Sequence, residues 1–364
     1  MRIVVDNRSI EGMALKSTLA LFSEADAGAM HPLIVAFADE RLPASLLGWR
    51  PPQHTLPEIH GDWLALPATT DMLANGNYPA WCLNGSPGSR LDPALRKTLR
   101  FTVASAKAEM RSDGPAISGK ASVRMGVLTH AEADILFAQG TDWVAGWPLP
   151  VTKPDIKGRG TEKRMIVVRL LQLVQANADI DELEALLKQD AGLAFKLLRY
   201  INSASNGLTL QIQSFQHAVM ILGYKRLTRW LALLVLASGE NPDLLPVMGI
   251  SLRRAFFTER VGKLLFGDVD PDELFMTGMF SLLDVIFSQP FDVLLEKLSL
   301  PEAVSDSLRN HSEPYGPLLH LAQTIERDDP EAIRQSIEML GLNVADVNRA
   351  LMLAIRDADL VELG

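Results

Sequence analysis

The chain has 364 residues, 48% of them hydrophobic and 22% charged, a composition that fits two or three globular domains and excludes disorder. Its 44 acidic against 35 basic residues leave a formal charge of −9, which repels phosphate backbones and excludes nucleic acid as a general partner. One cysteine, Cys82, rules out a disulfide within a monomer and a cysteine-based zinc site.

The opening MRIVVDNRSIEG lacks the apolar core of a signal peptide, and the most apolar segment, residues 230–237, falls far short of the ~20 residues that span a bilayer. A cytoplasmic chain without membrane insertion is expected. From the start to about Pro154, short apolar runs alternate with Gly- and Pro-rich connections. Runs at 3–5, 33–37, 63–66, 80–83, 101–103, 123–127 and 143–145 have the length and closure of buried strands. Helical patterns lie between them, such as 130–139 behind Thr129 as N-cap, so the half predicts a parallel sheet or barrel. Three prolines and two glycines over 148–160 mark the boundary. The division is 1–152, a linker at 153–160, and 161–364.

From Thr161 onward the pattern is helical. Leu183, Leu186 and Leu187 share one face of a first helix, and Ala194, Leu197, Leu198 and Ile201 share that of a second, ended by the turn chemistry of SASNG at 203–207. Ser214 caps a helix carrying Val219 and Leu222, and Leu227, Trp230, Leu231, Leu234 and Val235 form the next stripe. Further helices are predicted at 252–266, 273–287, 301–310, 318–326, 330–340 and 346–358, with Asp329-Pro330 as a clear start signal. The basic runs at 159–169, 225–229 and Arg253–Arg254 read as solvated helix faces.

The segment DELEALLKQDAGLAFKLLRYINSASNGLTLQIQSFQHAVMILGYKRLTRWLAL, residues 181–233, resembles the HDOD family, a branch of the HD superfamily that usually lacks the hydrolase metal site. Ala191 departs from the family's usual proline, which only pre-sets a helix start. In catalytic HD proteins a histidine–aspartate pair and flanking histidines hold the metal. The corresponding stretch here, 277–287, has Leu283 before Asp284, and the helix upstream, 251–266, has no histidine. The resemblance therefore implies no metal, and Asp284 reads as a capped or salt-bridged helix aspartate. His217 reads as a core or rim histidine, while His311 and His320 lack ligand spacing.

The first half resembles an eroded EAL domain, the (β/α) barrel that in active members cleaves cyclic di-GMP with two metals held by acids at strand ends. IVVDNRSIEGMALKS, 3–17, resembles the first family motif with Met13 at the glutamate. Leu83 and Asn84 stand at the Asp-Asp strand, Met125 and Leu128 at two glutamates, and Ala145 at the closing glutamine. These replacements run from anionic to apolar, and roughly 150 residues are available for a fold that takes roughly 250. The fold expected is thus α/β plus all-α: a reduced, degenerate EAL-like barrel followed by an all-helical HDOD domain. No catalytic residue, metal or cofactor is expected.

Two functions from different classes follow. The first is a non-catalytic signal-transduction adaptor working through protein partners, a reading compatible with self-association. Its candidate surface is Asn202, Ser203, Asn206, Tyr224, Lys225, Arg226 and Arg229, since turn residues expose backbone groups and interfaces favour Arg and Tyr. Capping of the local turn is the other use open to Asn202 and Ser203. The second is a receptor that binds cyclic di-GMP or another nucleotide without cleaving it, for which Lys16, Arg41, Arg50, Arg90, Trp49 and Trp81 are available.

Overall fold

The computed structural model describes residues 2–5, 13–26, 32–39, 41–76, 78–87, 91–106, 117, 119–127, 129–146, 160–187, 189, 212, 217–221, 223–224, 227–228, 231–232, 244–267, 269–287, 289–298, 300–327 and 329–361. The chain separates into two compact units, Met1–Val151 and Thr152–Gly364.

The first unit alternates strand and helix: β1 (Arg2–Val5), α1 (Met13–Asp26), β2 (Leu33–Phe37), α2 (Ala44–Leu47), β3 (Thr55–His60), a 3-10 helix (Gly61–Ala65), α3 (Pro67–Ala74), β4 (Trp81–Asn84), α4 (Pro93–Thr98), β5 (Leu99–Ser105), β6 (Ala121–Val127), α5 (His130–Ala138) and β7 (Trp143–Gly146). The strands form one parallel sheet in the order β1 to β7. Each connection advances one strand, and the right-handed crossover rule sends such connections to the same side. Side chains of the central strands are buried on both faces. Val35, Ile59 and Leu83 fill one, while Ile34, Leu56, Cys82, Val103 and Val123 fill the other. Among the described strands none joins β7 to β1, so the expected barrel is seen as a seven-stranded sheet. Its last strand is poorly covered, with Trp143 58% exposed.

Two expectations fail locally. Residues 63–66 are not a strand, because the chain after β3 tightens into the 3-10 helix, closed by Leu66 N–H donating to the Trp63 carbonyl at 3.0 Å. Gly61 permits that tightening, since a Cβ there would lie 1.8 Å from the Ser86 carbonyl oxygen. The strand overlooked is β3, whose Pro57 argues against a central strand even though Val35 pairs with it in register. The cap at Thr129 forms as expected, its side chain accepting the Glu132 N–H.

Among its described residues the second unit holds only helices: α6 (Gly160–Gln175), α7 (Ile180–Leu187), α8 (Leu245–Phe266), α9 (Pro271–Phe280), α10 (Leu283–Phe287), α11 (Phe291–Leu298), α12 (Glu302–Asn310), α13 (Gly316–Glu326), α14 (Pro330–Met339) and α15 (Val344–Asp359). Residues 217–221, 223–224, 227–228 and 231–232 are helical as well, and among them Ala218, Val219, Leu227, Leu231 and Ala232 are buried. The 22-residue α8 is the central element, burying Val247, Leu252, Ala255, Phe257 and Val261. It meets α9 closely, since a Cβ on Gly278 would lie 2.4 Å from the Arg254 carbonyl group. The single helix expected over 273–287 is two, interrupted after Phe280, where Ser281 caps α9. Asp329 caps α14 as expected, accepting the Ala332 N–H at 3.1 Å.

Candidate functional site

Parallel sheets gather their functional side chains at the carboxyl ends of the strands, where loops converge. In the first unit that edge carries a buried acid, Glu58 of β3, which is 0% exposed. Strand alternation sets it beside Cys82, its register partner, and on the same face as Asn84. The Asn84 amide donates from Nδ2 to Glu58 Oε1 at 2.7 Å. Next along β3, His60 is half-buried against Trp63, ring centroids 4.8 Å apart, and Trp63 in turn meets Phe37. Burial, and then the Glu58 charge, push the Cys82 thiol well above its usual range, so it is inert at neutral pH.

The positions expected at a former site only partly converge. Met125 and Ala145 pack against the cluster containing Leu56, Cys82, Val103 and Val123, on the face of Glu58 and Asn84. Leu83 alternates with Cys82 and Asn84, so it is buried in the opposite face and takes no part. Met13 begins α1, and Leu128 lies outside the described residues. Active EAL domains hold two metals at this face, where the described residues here place Glu58 and Asn84. One carboxylate and one amide stand among Met125 and Ala145, and among the described residues no three His, Cys, Asp or Glu side chains gather as ligands.

The residues available to hold a nucleotide are dispersed as well. Trp81 is fully buried with its Nε1–H donated to Thr98 Oγ1 at 3.0 Å, so it offers no stacking face. Arg41 is gripped by Asp39, with Nη2 2.6 Å from Oδ2. Trp49 packs on Phe22, Lys16 and Arg50 are exposed on separate segments, and Arg90 lies outside the described residues.

In the second unit the buried polar centre is one that the sequence concealed. Arg254 does not lie on a solvated helix face: it is 4% exposed, and Glu326 draws it inward. Its Nε–H donates to Glu326 Oε1 at 2.9 Å, Nη2–H to Oε2 at 2.6 Å, and Nη1–H to Ser281 Oγ at 2.9 Å. Burial raises the Glu326 carboxyl against the pull of Arg254 and Arg253, and lowers the Arg253 guanidinium against the pull of Asp359 and Glu326. Leu283 is fully buried at the start of α10, and Asp284 is half-buried beside it. His217 is half-buried, while His311 and His320 are exposed.

Of the expected interaction surface, only Tyr224 is described. It is half-buried and donates its hydroxyl to the Ala178 carbonyl at 2.9 Å. Asn202, Ser203, Asn206, Lys225, Arg226 and Arg229 lie outside the described residues. Nor is any described helix long and apolar enough to cross a membrane.

The family model described as HDOD domain matches residues 164–288, wholly within the helical unit. Over 208 residues it is 30% identical to Cyclic di-GMP phosphodiesterase CdgJ of Vibrio cholerae serotype O1, covering 56% of this chain and 48% of that protein. It is 26% identical over 163 residues to the uncharacterized protein YuxH of Bacillus subtilis, covering 44% and 40%. The chain thus matches less than half the length of these curated relatives. Among solved structures, an HDOD domain protein from Geobacter sulfurreducens aligns with 17% identity and a TM-score of 0.35, over 58% of this chain and 99% of that one.

Proposed function

We propose that this chain is a non-catalytic adaptor of a cyclic di-GMP signalling pathway, in which an eroded EAL-like unit precedes an HDOD domain that engages a protein partner. The observation carrying the proposal is the strand-end face of the sheet. Where the EAL resemblance calls for acids and a glutamine, Met125 and Ala145 pack into an apolar cluster, leaving Glu58 with an amide. Among the described residues no three His, Cys, Asp or Glu side chains gather there, and two-metal hydrolysis needs several ligands placed together. The pathway itself is suggested by the activity named for the Vibrio relative and by the HDOD match.

A receptor that holds cyclic di-GMP uncleaved is the second reading, favoured by the polar group that survives at the strand ends, Glu58, His60 and Asn84. Two measurements on the full chain separate the readings. The adaptor predicts no turnover of cyclic di-GMP with magnesium or manganese and no heat of binding in a calorimetric titration. Saturable heat without turnover establishes the receptor; turnover abolished by Glu58→Gln sinks both and makes the chain an enzyme. The partner surface is tested by Arg226→Glu/Arg229→Glu, which should abolish co-purification of the partner.

A further inference from the structure

We infer that a polar chain running from α13 to the end of α9 lets the C-terminal helices set the conformation of the turn between α9 and α10. Glu326, the last residue of α13, grips the Arg254 guanidinium at two points, 2.9 and 2.6 Å. The remaining nitrogen of the fork donates to Ser281 Oγ, and that hydroxyl donates onward to the Gly278 carbonyl at 2.7 Å. Carboxylate, guanidinium, hydroxyl and carbonyl thus form one directed series in which each bond polarises the next.

Three features make the series a control rather than a decoration. Arg254 and Ser281 are buried, so bulk water does not stand in for a lost partner. A guanidinium cannot shed its charge, and the same helix already holds two buried donors, Nε of Arg253 and of Arg260, that find no acceptor among the described residues. Acceptors are therefore scarce around Arg254. If Glu326 withdraws, the freed donors compete for the Ser281 hydroxyl and the Gly278 carbonyl, and the cap of α9 is what gives way. Finally, Gly278 rests on the Arg254 backbone, so a change at the guanidinium is felt directly by the last turn of α9. The HDOD match ends at residue 288, so the controlling carboxylate comes from beyond the matched domain and the controlled turn lies within it.

The test is hydrogen exchange on the full chain. Glu326→Gln is expected to speed exchange of the amides of residues 281–287 by about tenfold, with helix α12 and the sheet unit changing by less than about twofold. Arg254→Met/Glu326→Leu, which removes both charges, should restore the protection. Ser281→Ala should reproduce the local loss, and adding Glu326→Gln to it should contribute little more. An unchanged turn in Glu326→Gln, a uniform rise across the helical unit, a double variant as labile as the single one, or additive effects of the Ser281 and Glu326 changes would each overturn the inference.

Discussion

Glu58 in the sheet and Arg254 in the helical unit are both charged side chains carried out of water, and the two units treat them differently. Arg254 meets a full counter-charge: three nitrogens are spent on Glu326 and Ser281, drawn from two other parts of the fold. Glu58 sits beside a neutral amide and a neutral thiol, at the margin of an apolar cluster. The helical unit closes its polar centre with helices that join it, while among the described residues the sheet sets Glu58 beside the apolar packing of Met125 and Ala145. A buried guanidinium gripped by a carboxylate and a hydroxyl marks one unit, and a buried carboxylate that accepts from an amide at the strand ends marks the other.

The sharpest way to break that contrast is to remove one charge at a time. Arg254→Met should destabilise the helical unit by about 3–5 kcal/mol, because Glu326 is left largely buried without the guanidinium that bonds both its oxygens. Arg254→Met/Glu326→Leu should return to within about 1 kcal/mol of the parent, since apolar replacement of a whole buried pair is close to neutral. Urea melts followed by far-ultraviolet circular dichroism read both. Equal losses in the two variants would mean that packing, not charge, is what Arg254 supplies.

In the sheet, shape should matter more than charge. Gly61→Ala places a methyl 1.8 Å from the Ser86 carbonyl oxygen, so the strand-end loops must part, at about 2–3 kcal/mol. The Cys82 thiol, buried and shifted upward, reports this directly: a thiol reagent should label it only as the sheet opens, and sooner in the variant.

How much of this was legible in sequence follows from distance along the chain. Strands such as β2 and β6 announce themselves as short apolar runs because both sheet faces are buried there. The caps at Thr129 and Asp329 are local chemistry, and they form where the spacing puts them. Arg254 was illegible because its partner stands 72 residues away, and an Arg-Arg pair on a helix carries no sign of which arginine turns inward. Glu58 was missed for a different reason: Pro57 disguises β3, and without that strand the acid has no face. Leu83 and Asn84 are neighbours in sequence, yet alternation along β4 sends them to opposite sides.

A smaller effect sharpens the reading of Glu58. Asn84→Asp sets a second carboxylate where the amide now stands, 2.7 Å from Glu58. Two acids at that distance cannot both ionise cheaply, so the pair's upper pKa rises in the folded state. An acid whose folded pKa is raised costs no stability below its unfolded value, a growing amount between the two values, and the full amount above the folded one. The variant should therefore lose about 1–2 kcal/mol at neutral pH and recover as the pH falls. A divalent ion that abolished the neutral-pH loss would show that the face accepts metal once a second acid is added, and the contrast between the two buried charges would sharpen.

The smallest expected effect lies at Asp142, where charge is used at the surface of the sheet. Its carboxylate accepts the Ser122 backbone N–H at 2.8 Å and the Ser122 hydroxyl at 3.1 Å, tying the start of β7 to β6. Those bonds, the backbone one foremost, hold its pKa below the usual aspartate value. The sign follows from linkage: an acid with a lowered folded pKa adds stability above its unfolded value near pH ~4, and loses it as the pH falls through the folded one. Asp142→Asn keeps an acceptor oxygen and removes only the charge. Parent and variant should therefore melt together in strong acid and separate slightly as the pH rises toward neutral, with the parent more stable. The group is fully exposed, so added salt should narrow the gap, whereas the Arg254 effect should be insensitive to salt. Equal salt dependence at the two positions would remove the distinction between a charge that the fold encloses and one that it merely displays.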